Sequence, residues 1–192
     1  MRTKVGVLIS GRGSNMLSLV RAAKAEDYPA QLALVLSNKP EAGGLAAAQA
    51  EGVGALAIDG RIFGKDREAH ERAMDAALRA AGVEVVCLAG YMRLLTPWFV
   101  DAWSGRMLNI HPSLLPEFKG LDTHARALEA GVTEAGCTVH IVTAELDAGP
   151  ILGQARVPVL AGDTEATLAA RVLEAEHILY PACLAEFCRN LG

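Results

Sequence analysis

The sequence predicts one α/β domain built on a doubly wound mixed sheet, parallel in its N-terminal half and antiparallel in its late strands. Strand-length apolar runs alternate with helical patterns through the first half of the 192-residue chain, which is typical of a parallel sheet covered by helices. Two late apolar runs are joined by a turn too short for a crossover helix, so we expect them to pair antiparallel. A long C-terminal helix then closes the predicted fold.

Seven apolar runs have the length of strands. The first and fourth show no alternation of apolar and polar residues, as expected for strands that are buried on both faces. The predicted strands are residues 5–9, 31–36, 55–58, 83–88, 107–110, 137–142 and 151–159.

Helical patterns separate the early strands. The predicted early helices are residues 14–25, 43–52 and 65–81. Gly82 is placed to end the third of these helices. Asp163 and Thr164 are typical residues for the start of a C-terminal helix, and Pro181 is expected to kink it. The apolar stripe of that helix consists of Leu168, Val172, Ala175 and Leu179.

The composition argues against several classes of function. The formal net charge of −4 argues against a nucleic-acid-binding surface, and no apolar run is long enough to span a membrane. The chain begins without the layout of a signal peptide. Cys87 and Cys137 lie inside apolar runs, and no two cysteines form a C-x-x-C pair. We therefore expect a soluble cytoplasmic protein of one domain, residues 1–192, without structural zinc.

The most informative segment, residues 109–116, reads Asn-Ile-His-Pro-Ser-Leu-Leu-Pro. Asn109 and His111 are two residues apart at the end of a predicted strand, so their side chains should point to the same side of the sheet. Pro112 cannot donate to a ladder and should end the strand at His111. Ligands of open α/β sheets bind at this carboxyl edge, where such a pair can stabilise an oxyanion and move a proton. The alternative is a structural histidine.

A glycine-containing loop, Ser-Gly-Arg-Gly-Ser-Asn, follows the first predicted strand and leads into a helix. Glycine lets the backbone approach a ligand closely, and the free N–H groups of a helix N-terminus favour an anion. Met16 stands where a dinucleotide fingerprint would have its third glycine, and the Lys of a P-loop is absent. The loop therefore favours a monophosphate bound by Gly13, Ser14 and Asn15. The alternative is a plain turn capped by Ser14.

Asp147 lies in the turn between the two late strands. An aspartate there is ordinary turn chemistry, unless it meets His111 and holds the imidazole in place. The spacing of Asp122, His124 and His140 matches no strong zinc pattern, so we do not expect a metal site.

Two arginines also allow a structural and a functional interpretation. Arg67 and Arg93 are of a type that is usually solvated at the surface. Arg93, however, closely follows the fourth predicted strand and so stands at another carboxyl tip.

Four segments together resemble the folate-dependent phosphoribosylglycinamide formyltransferases of purine synthesis. These segments are residues 8–15, 88–93, 109–116 and 145–150. The Asn-x-His-Pro-Ser segment with a later aspartate is common to a wider superfamily that uses 10-formyltetrahydrofolate, whereas the glycine loop and the single-domain length narrow the resemblance. The chain departs from the family pattern at Ala148, at Asp122 and in its short C-terminal tail.

The resemblance implies direct attack of the glycinamide amine on the formyl group of 10-formyltetrahydrofolate, with no metal and no covalent enzyme intermediate. Asn109 would donate an N–H to the developing oxyanion, and protonated His111 would stabilise that charge and act as general acid. Asp147 would stabilise protonated His111 and help move the proton to the folate nitrogen.

The resemblance also implies where the two substrates bind. The N-terminal half would hold the phosphate of 5-phosphoribosylglycinamide on Gly13, Ser14 and Asn15, and Glu176 would contact the same ribotide. The alternative for Glu176 is an ordinary surface position. The C-terminal half would provide the folate and catalytic residues. The residues implied for folate are Arg67, Met92, Arg93, Leu94, Leu95 and Asn109; Leu94 and Leu95 would otherwise be core residues.

Two other functions remain as alternatives. The first is hydrolysis of the same folate to formate, which needs an absent or blocked ribotide pocket; the intact glycine loop argues against it. The second is a non-catalytic module that binds a phosphorylated ligand, which would not require Asn109, His111 and Asp147 together. The expected partners are small-molecule substrates, with no nucleic acid and no membrane. The sequence leaves open whether the chain is a monomer or a homodimer.

Overall fold

The computed structural model describes residues 1–191, which form a seven-stranded mixed sheet flanked by helices. The strands are β1 (Thr3–Ile9), β2 (Ala30–Ser37), β3 (Ala55–Ala57), β4 (Val85–Leu88), β5 (Met107–His111), β6 (Glu134–Ile141) and β7 (Ile151–Pro158). Their order across the sheet is β3-β2-β1-β4-β5-β6-β7. Strands β1 to β5 pair with one another in parallel, and β6 is antiparallel to both β5 and β7. The predicted fold class is confirmed.

The helices are α1 (Ser14–Ala22), α2 (Gly43–Ala50), α3 (Arg67–Ala80), α4 (Pro97–Ala102), α5 (Thr123–Glu129) and α6 (Glu165–Arg189), with a 3₁₀ turn at Gly60–Phe63. All predicted helices are present with slightly different ends. The short α4, α5 and 3₁₀ turn were not predicted, because four to seven residues show too little of the helical period. Thr164 starts α6 in a capping box with Thr167, and the helix continues past Pro181.

The core consists of two layers, one on each face of the sheet. Val5, Val7 and Ile9 of β1 pack with residues of α1 and α6, whereas Leu8 packs with residues of α3 and α4 on the other face. At Gly6 a Cβ would lie 2.5 Å from Leu78 Cδ2, so α3 packs directly on β1. Because both faces are covered, the carboxyl ends of the parallel strands meet the surface only at one edge of the sheet.

The four cysteines are buried and free. Burial raises the pKa of the Cys87 and Cys137 thiols to about 12, so both are poor nucleophiles at neutral pH. Within residues 1–191, none of the helices combines the length and the apolar character needed to cross a membrane.

Candidate active site

The end of β5 brings two polar side chains to the carboxyl edge, as predicted. β5 ends at His111, and Asn109 is paired with Leu88 of β4. On its other side β5 pairs antiparallel with β6, which places His140 opposite Asn109 and Thr138 opposite His111. The register of these two strands therefore adds a second histidine to the site.

His111 is held between a carboxylate and a backbone carbonyl. Its Nδ1 lies 3.5 Å from Asp147 Oδ2, and both side chains are less than one-tenth exposed. Its Nε2 donates to the carbonyl oxygen of Phe118 at 2.9 Å. Both ring nitrogens thus face oxygen acceptors, and only the imidazolium carries an N–H on each nitrogen. The same Asp147 oxygen accepts the Gly120 N–H at 2.9 Å, which fixes the carboxylate.

Two of the residues in this arrangement have a left-handed backbone. Phe118 has φ 52° and Asp147 has φ 51°, a backbone region that residues other than glycine rarely adopt. Such positions concentrate at functional sites, where surrounding contacts hold them. Both occur where the chain turns a backbone or side-chain oxygen toward His111.

The loop after β5 is held by buried polar contacts from β6 and β7. Thr138 Oγ1 donates to the Ser113 carbonyl at 2.7 Å and accepts the Leu115 N–H at 3.1 Å. Gln154 Nε2 donates to the Leu115 carbonyl at 2.9 Å. The loop that presents the Phe118 carbonyl to His111 is therefore anchored to the sheet.

His140 lies between the other two polar groups of the site. Its Nε2 is 3.3 Å from Asn109 Nδ2 and 3.8 Å from Asp147 Oδ1, and its Nδ1 faces the Ile141 carbonyl at 3.0 Å. Burial lowers the pKa of His140, which favours the neutral ring at pH 7. Sequence reasoning considered His140 only as a metal ligand and so missed it. The signal available in the sequence for a functional residue there was a single histidine within an apolar predicted strand.

The glycine loop packs tightly against the start of α2. The Gly44 N–H donates to the Gly11 carbonyl at 3.0 Å. A Cβ at Gly13 would lie 2.9 Å from Met16 Cε and 3.2 Å from Gly44 Cα. Gly13, with φ 73°, is the N-cap of α1, and Ser14 is already helical. Ser14 is therefore not the N-cap of α1, and the first N–H groups of α1 have no partner within the helix.

Glu176 is buried next to this loop. It is 6% exposed, and Asn15 Nδ2 donates to its Oε2 at 3.1 Å. Burial raises the pKa of Glu176, and the hydrogen bond from Asn15 partly opposes this rise. The alternative of an ordinary surface glutamate is wrong. The structure brings α6 to the start of α1, so the proposed ribotide residues are adjacent.

The segment after β4 is tied to the tip of β1. The Met92 N–H donates to Ser10 Oγ at 2.8 Å, and that hydroxyl donates to Asn38 Oδ1 at 2.6 Å. Met92 and Leu94 are 66% and 65% exposed, whereas Leu95 packs against the core. The carboxyl edge of the sheet therefore presents an apolar surface next to the polar cluster.

The two arginines differ in their surroundings. Arg93 is half-buried, with its Nη1 3.5 Å from His70 Nδ1. His70 Nε2 in turn donates to the Ile58 carbonyl at 2.7 Å. Arg67 is exposed as the first residue of α3, and within the described residues no side-chain hydrogen bond or ion pair joins it to the other proposed site residues.

The cluster is suited to acid–base chemistry and oxyanion stabilisation. It combines an amide donor, two imidazoles and a carboxylate, each within 4 Å of the next. Among residues 1–191, no group of three or more His, Cys, Asp or Glu is arranged to hold a metal ion. A donor aimed at developing negative charge and a histidine paired with a carboxylate can together assist transfer of an acyl group.

Comparison with known proteins finds similarity over nearly the whole chain. The profile of the formyl transferase family matches residues 3–184. Phosphoribosylglycinamide formyltransferase of Escherichia coli (strain K12) is 45% identical over 181 residues, which are 94% of this chain and 85% of that protein. The trifunctional purine biosynthetic protein adenosine-3 of Homo sapiens is 47% identical over 183 residues, or 95% of this chain. The chain spans only 18% of the length of that trifunctional protein.

Solved structures give the same result in three dimensions. Phosphoribosylglycinamide formyltransferase from Brucella melitensis is 56% identical with a TM-score of 0.94, covering 98% of this chain and 96% of that one. Glycinamide ribonucleotide transformylase 1 from Symbiobacterium toebii is 46% identical with a TM-score of 0.95, and the match covers 98% of this chain and 89% of that one.

Proposed function

The chain belongs to the formyl transferase family, and on this basis we propose that it transfers the formyl group of 10-formyltetrahydrofolate to the amine of 5-phosphoribosylglycinamide in purine biosynthesis. The observation that carries the proposal is the meeting of Asn109, His111 and Asp147 at the carboxyl edge of the sheet. We assign the activity to one domain, residues 1–192, with the phosphate site in its N-terminal half.

In the first step the amine nitrogen forms a bond to the formyl carbon, and the formyl oxygen takes the negative charge. Asn109 donates a side-chain N–H to this oxyanion. Such a donor contributes most in the transition state, where the charge is larger than in the substrate carbonyl, and removing one costs about 2.7–4 kcal/mol.

In the second step the bond between the formyl carbon and the folate nitrogen breaks. The imidazolium of His111 stabilises the oxyanion and supplies a proton to the leaving nitrogen, while Asp147 balances the positive charge. The attacking amine releases one proton as the folate nitrogen gains one, so the transfer consumes no net proton. The proton that the amine releases returns to the His111 ring, which restores the imidazolium for the next turnover.

The two substrates bind on opposite sides of this cluster in our proposal. The phosphate of the ribotide binds at Gly13, Ser14 and Asn15, where free N–H groups and the helix dipole attract an anion. Glu176 supplies a buried acceptor for the sugar hydroxyls. The folate ring packs on the apolar surface after β4. The residues proposed for the folate are Arg67, Met92, Arg93, Leu94, Leu95 and Asn109.

In our proposal one chain supplies every residue of the site, so the activity does not need a second subunit. Both a monomer and a homodimer are compatible with such a site, and we propose that the protein works in one of these two states. We also propose that it works in the cytoplasm, where a reducing environment keeps thiols such as its four buried cysteines free.

The proposal is tested by incubating the protein with 10-formyltetrahydrofolate in the presence and absence of 5-phosphoribosylglycinamide and identifying the products. We expect formyl loss only with the ribotide, and formylated ribotide as the product. Equal rates with formate as the product would replace transfer by hydrolysis. Ribotide binding without any formyl loss would indicate a binding module.

A further inference from the structure

We propose that His140 is a positioning residue, which fixes the orientation of the Asn109 side-chain amide so that one N–H points at the reacting oxygen. This inference rests on the proposed role of Asn109 in the transfer. The two side chains face each other across the β5–β6 pair, with Asn109 Nδ2 and His140 Nε2 separated by 3.3 Å.

The surroundings of the ring determine which nitrogen of His140 carries the proton. Nδ1 lies 3.0 Å from the Ile141 carbonyl, which can only accept a hydrogen bond, so Nδ1 must carry the proton. The ring is neutral because it is 2% exposed, which disfavours its charged form. Nε2 therefore presents a lone pair toward Asn109.

A lone pair at Nε2 decides between the two orientations of the Asn109 amide. With Nδ2 toward His140, one N–H is donated to the ring and the second is free for a ligand. In the flipped orientation Oδ1 would face Nε2, and two acceptors would repel each other at hydrogen-bond distance. Asn109 is partly exposed and makes no other side-chain hydrogen bond within residues 1–191. His140 is therefore the contact that selects its orientation.

The register of β6 against β5 sets this contact. The pairing of these two strands is regular from Leu108 to His111, with His140 directly opposite Asn109. The pairing of β6 with β7 shifts register beside His140, but the extra residue, Leu152, lies in β7. The contact between His140 and Asn109 is therefore built by the pairing of β6 with β5.

The inference is tested with two substitutions of the histidine. His140→Phe keeps an aromatic ring but removes the acceptor, so we expect kcat to fall at least about 10-fold, with the 10²–10³-fold loss of a whole oxyanion donor as the upper bound. His140→Gln can present an oxygen near the position of Nε2 and should recover most of that loss. The Michaelis constant for the ribotide should change little in either variant.

A double-mutant cycle with Asn109→Ala separates positioning from an independent effect. If His140 acts through Asn109, then His140→Phe should cause no further loss of kcat once Asn109 is alanine. Val139→Ala, which removes two methyl groups from a buried side chain one residue away on the other face of β6, controls for destabilisation and should lower Tm without lowering kcat. An equal loss from His140→Phe in both backgrounds would overturn the proposal.

A spectroscopic measurement tests the inference without any assay of activity. Long-range ¹H–¹⁵N correlation spectra report which ring nitrogen of a histidine is protonated. We expect His140 to be protonated at Nδ1 alone, and the Asn109 amide signals to shift in His140→Phe. Protonation at Nε2 would refute the positioning role. If wild-type protein transferred no formyl group, the proposed function would fail, whereas these spectra would still decide the contact.

Discussion

Replacing Asp147 with asparagine removes one negative charge from the site with little change of shape. The Gly120 N–H can still be accepted by the asparagine Oδ1, which preserves the contact that Asp147 Oδ2 makes at 2.9 Å. Asparagine is also among the residues that tolerate the left-handed backbone found here, φ 51°. The variant should therefore fold and bind the ribotide. The main loss is the carboxylate charge 3.5 Å from His111 Nδ1.

The size of the effect follows from that distance. At 3.5 Å, two opposite unit charges attract by about 1 kcal/mol in bulk water and about 5 kcal/mol at an effective dielectric constant near 20. Each 1.4 kcal/mol is a factor of about ten in rate. Because both side chains are buried, the larger figure is the better guide. The larger figure corresponds to a fall in kcat of roughly 10³–10⁴-fold, which is the upper part of the range for a lost acid–base partner.

The assay is the initial rate of formyl transfer with both substrates saturating. Asp122→Asn is a matched control, because Asp122 is an exposed carboxylate that also has a left-handed backbone, φ 56°, and makes no capping hydrogen bond. It should leave kcat nearly unchanged. The weakest attraction, about 1 kcal/mol in bulk water, corresponds to a fall in kcat of about five-fold. A smaller fall in Asp147→Asn, with Tm retained, would show that Asp147 is only a turn residue and that its charge does not assist catalysis.

Three further results are expected. Gly13→Val should lower Tm, because φ is 73° and a Cβ would crowd Gly44. It should also raise the Michaelis constant for the ribotide far more than that for the folate. The control is Gly11→Val, which should retain the wild-type Tm because nothing lies within 4 Å of a Cβ at Gly11. Glycinamide riboside, which lacks the phosphate, should react poorly because it binds weakly. Equal Michaelis constants for riboside and ribotide would contradict the proposed phosphate site. Because burial raises the pKa of Glu176 above its ordinary 4.5, the folded protein binds the extra proton and loses stability as pH rises through that raised value. Glu176→Gln should therefore have a higher Tm than wild type at pH 8 and a similar Tm near pH 4, with weaker ribotide binding; a lower Tm at pH 8 would contradict this.

Local sequence patterns were sufficient for the architecture and for part of the site. Strand and helix periods repeat within a few residues, so the alternation of elements, the antiparallel late pair and the capped final helix could all be predicted. Asn109 and His111 could be placed together for the same reason, since a spacing of two in a strand that ends at a proline puts both side chains at one tip. The glycine loop was recognisable because its conformational requirement is local.

The tertiary structure alone decided the contacts between distant segments. His140 meets Asn109 across 31 residues of chain, and Asn15 meets Glu176 across 161. These contacts depend on which strands pair and in what register, and on how α6 packs beside α1. No short pattern encodes them. Sequence patterns also could not identify the Phe118 carbonyl and the Gly120 N–H, which hold His111 and Asp147. Every residue carries a carbonyl and almost every residue an N–H, and only the folded loop directs these two groups into the site.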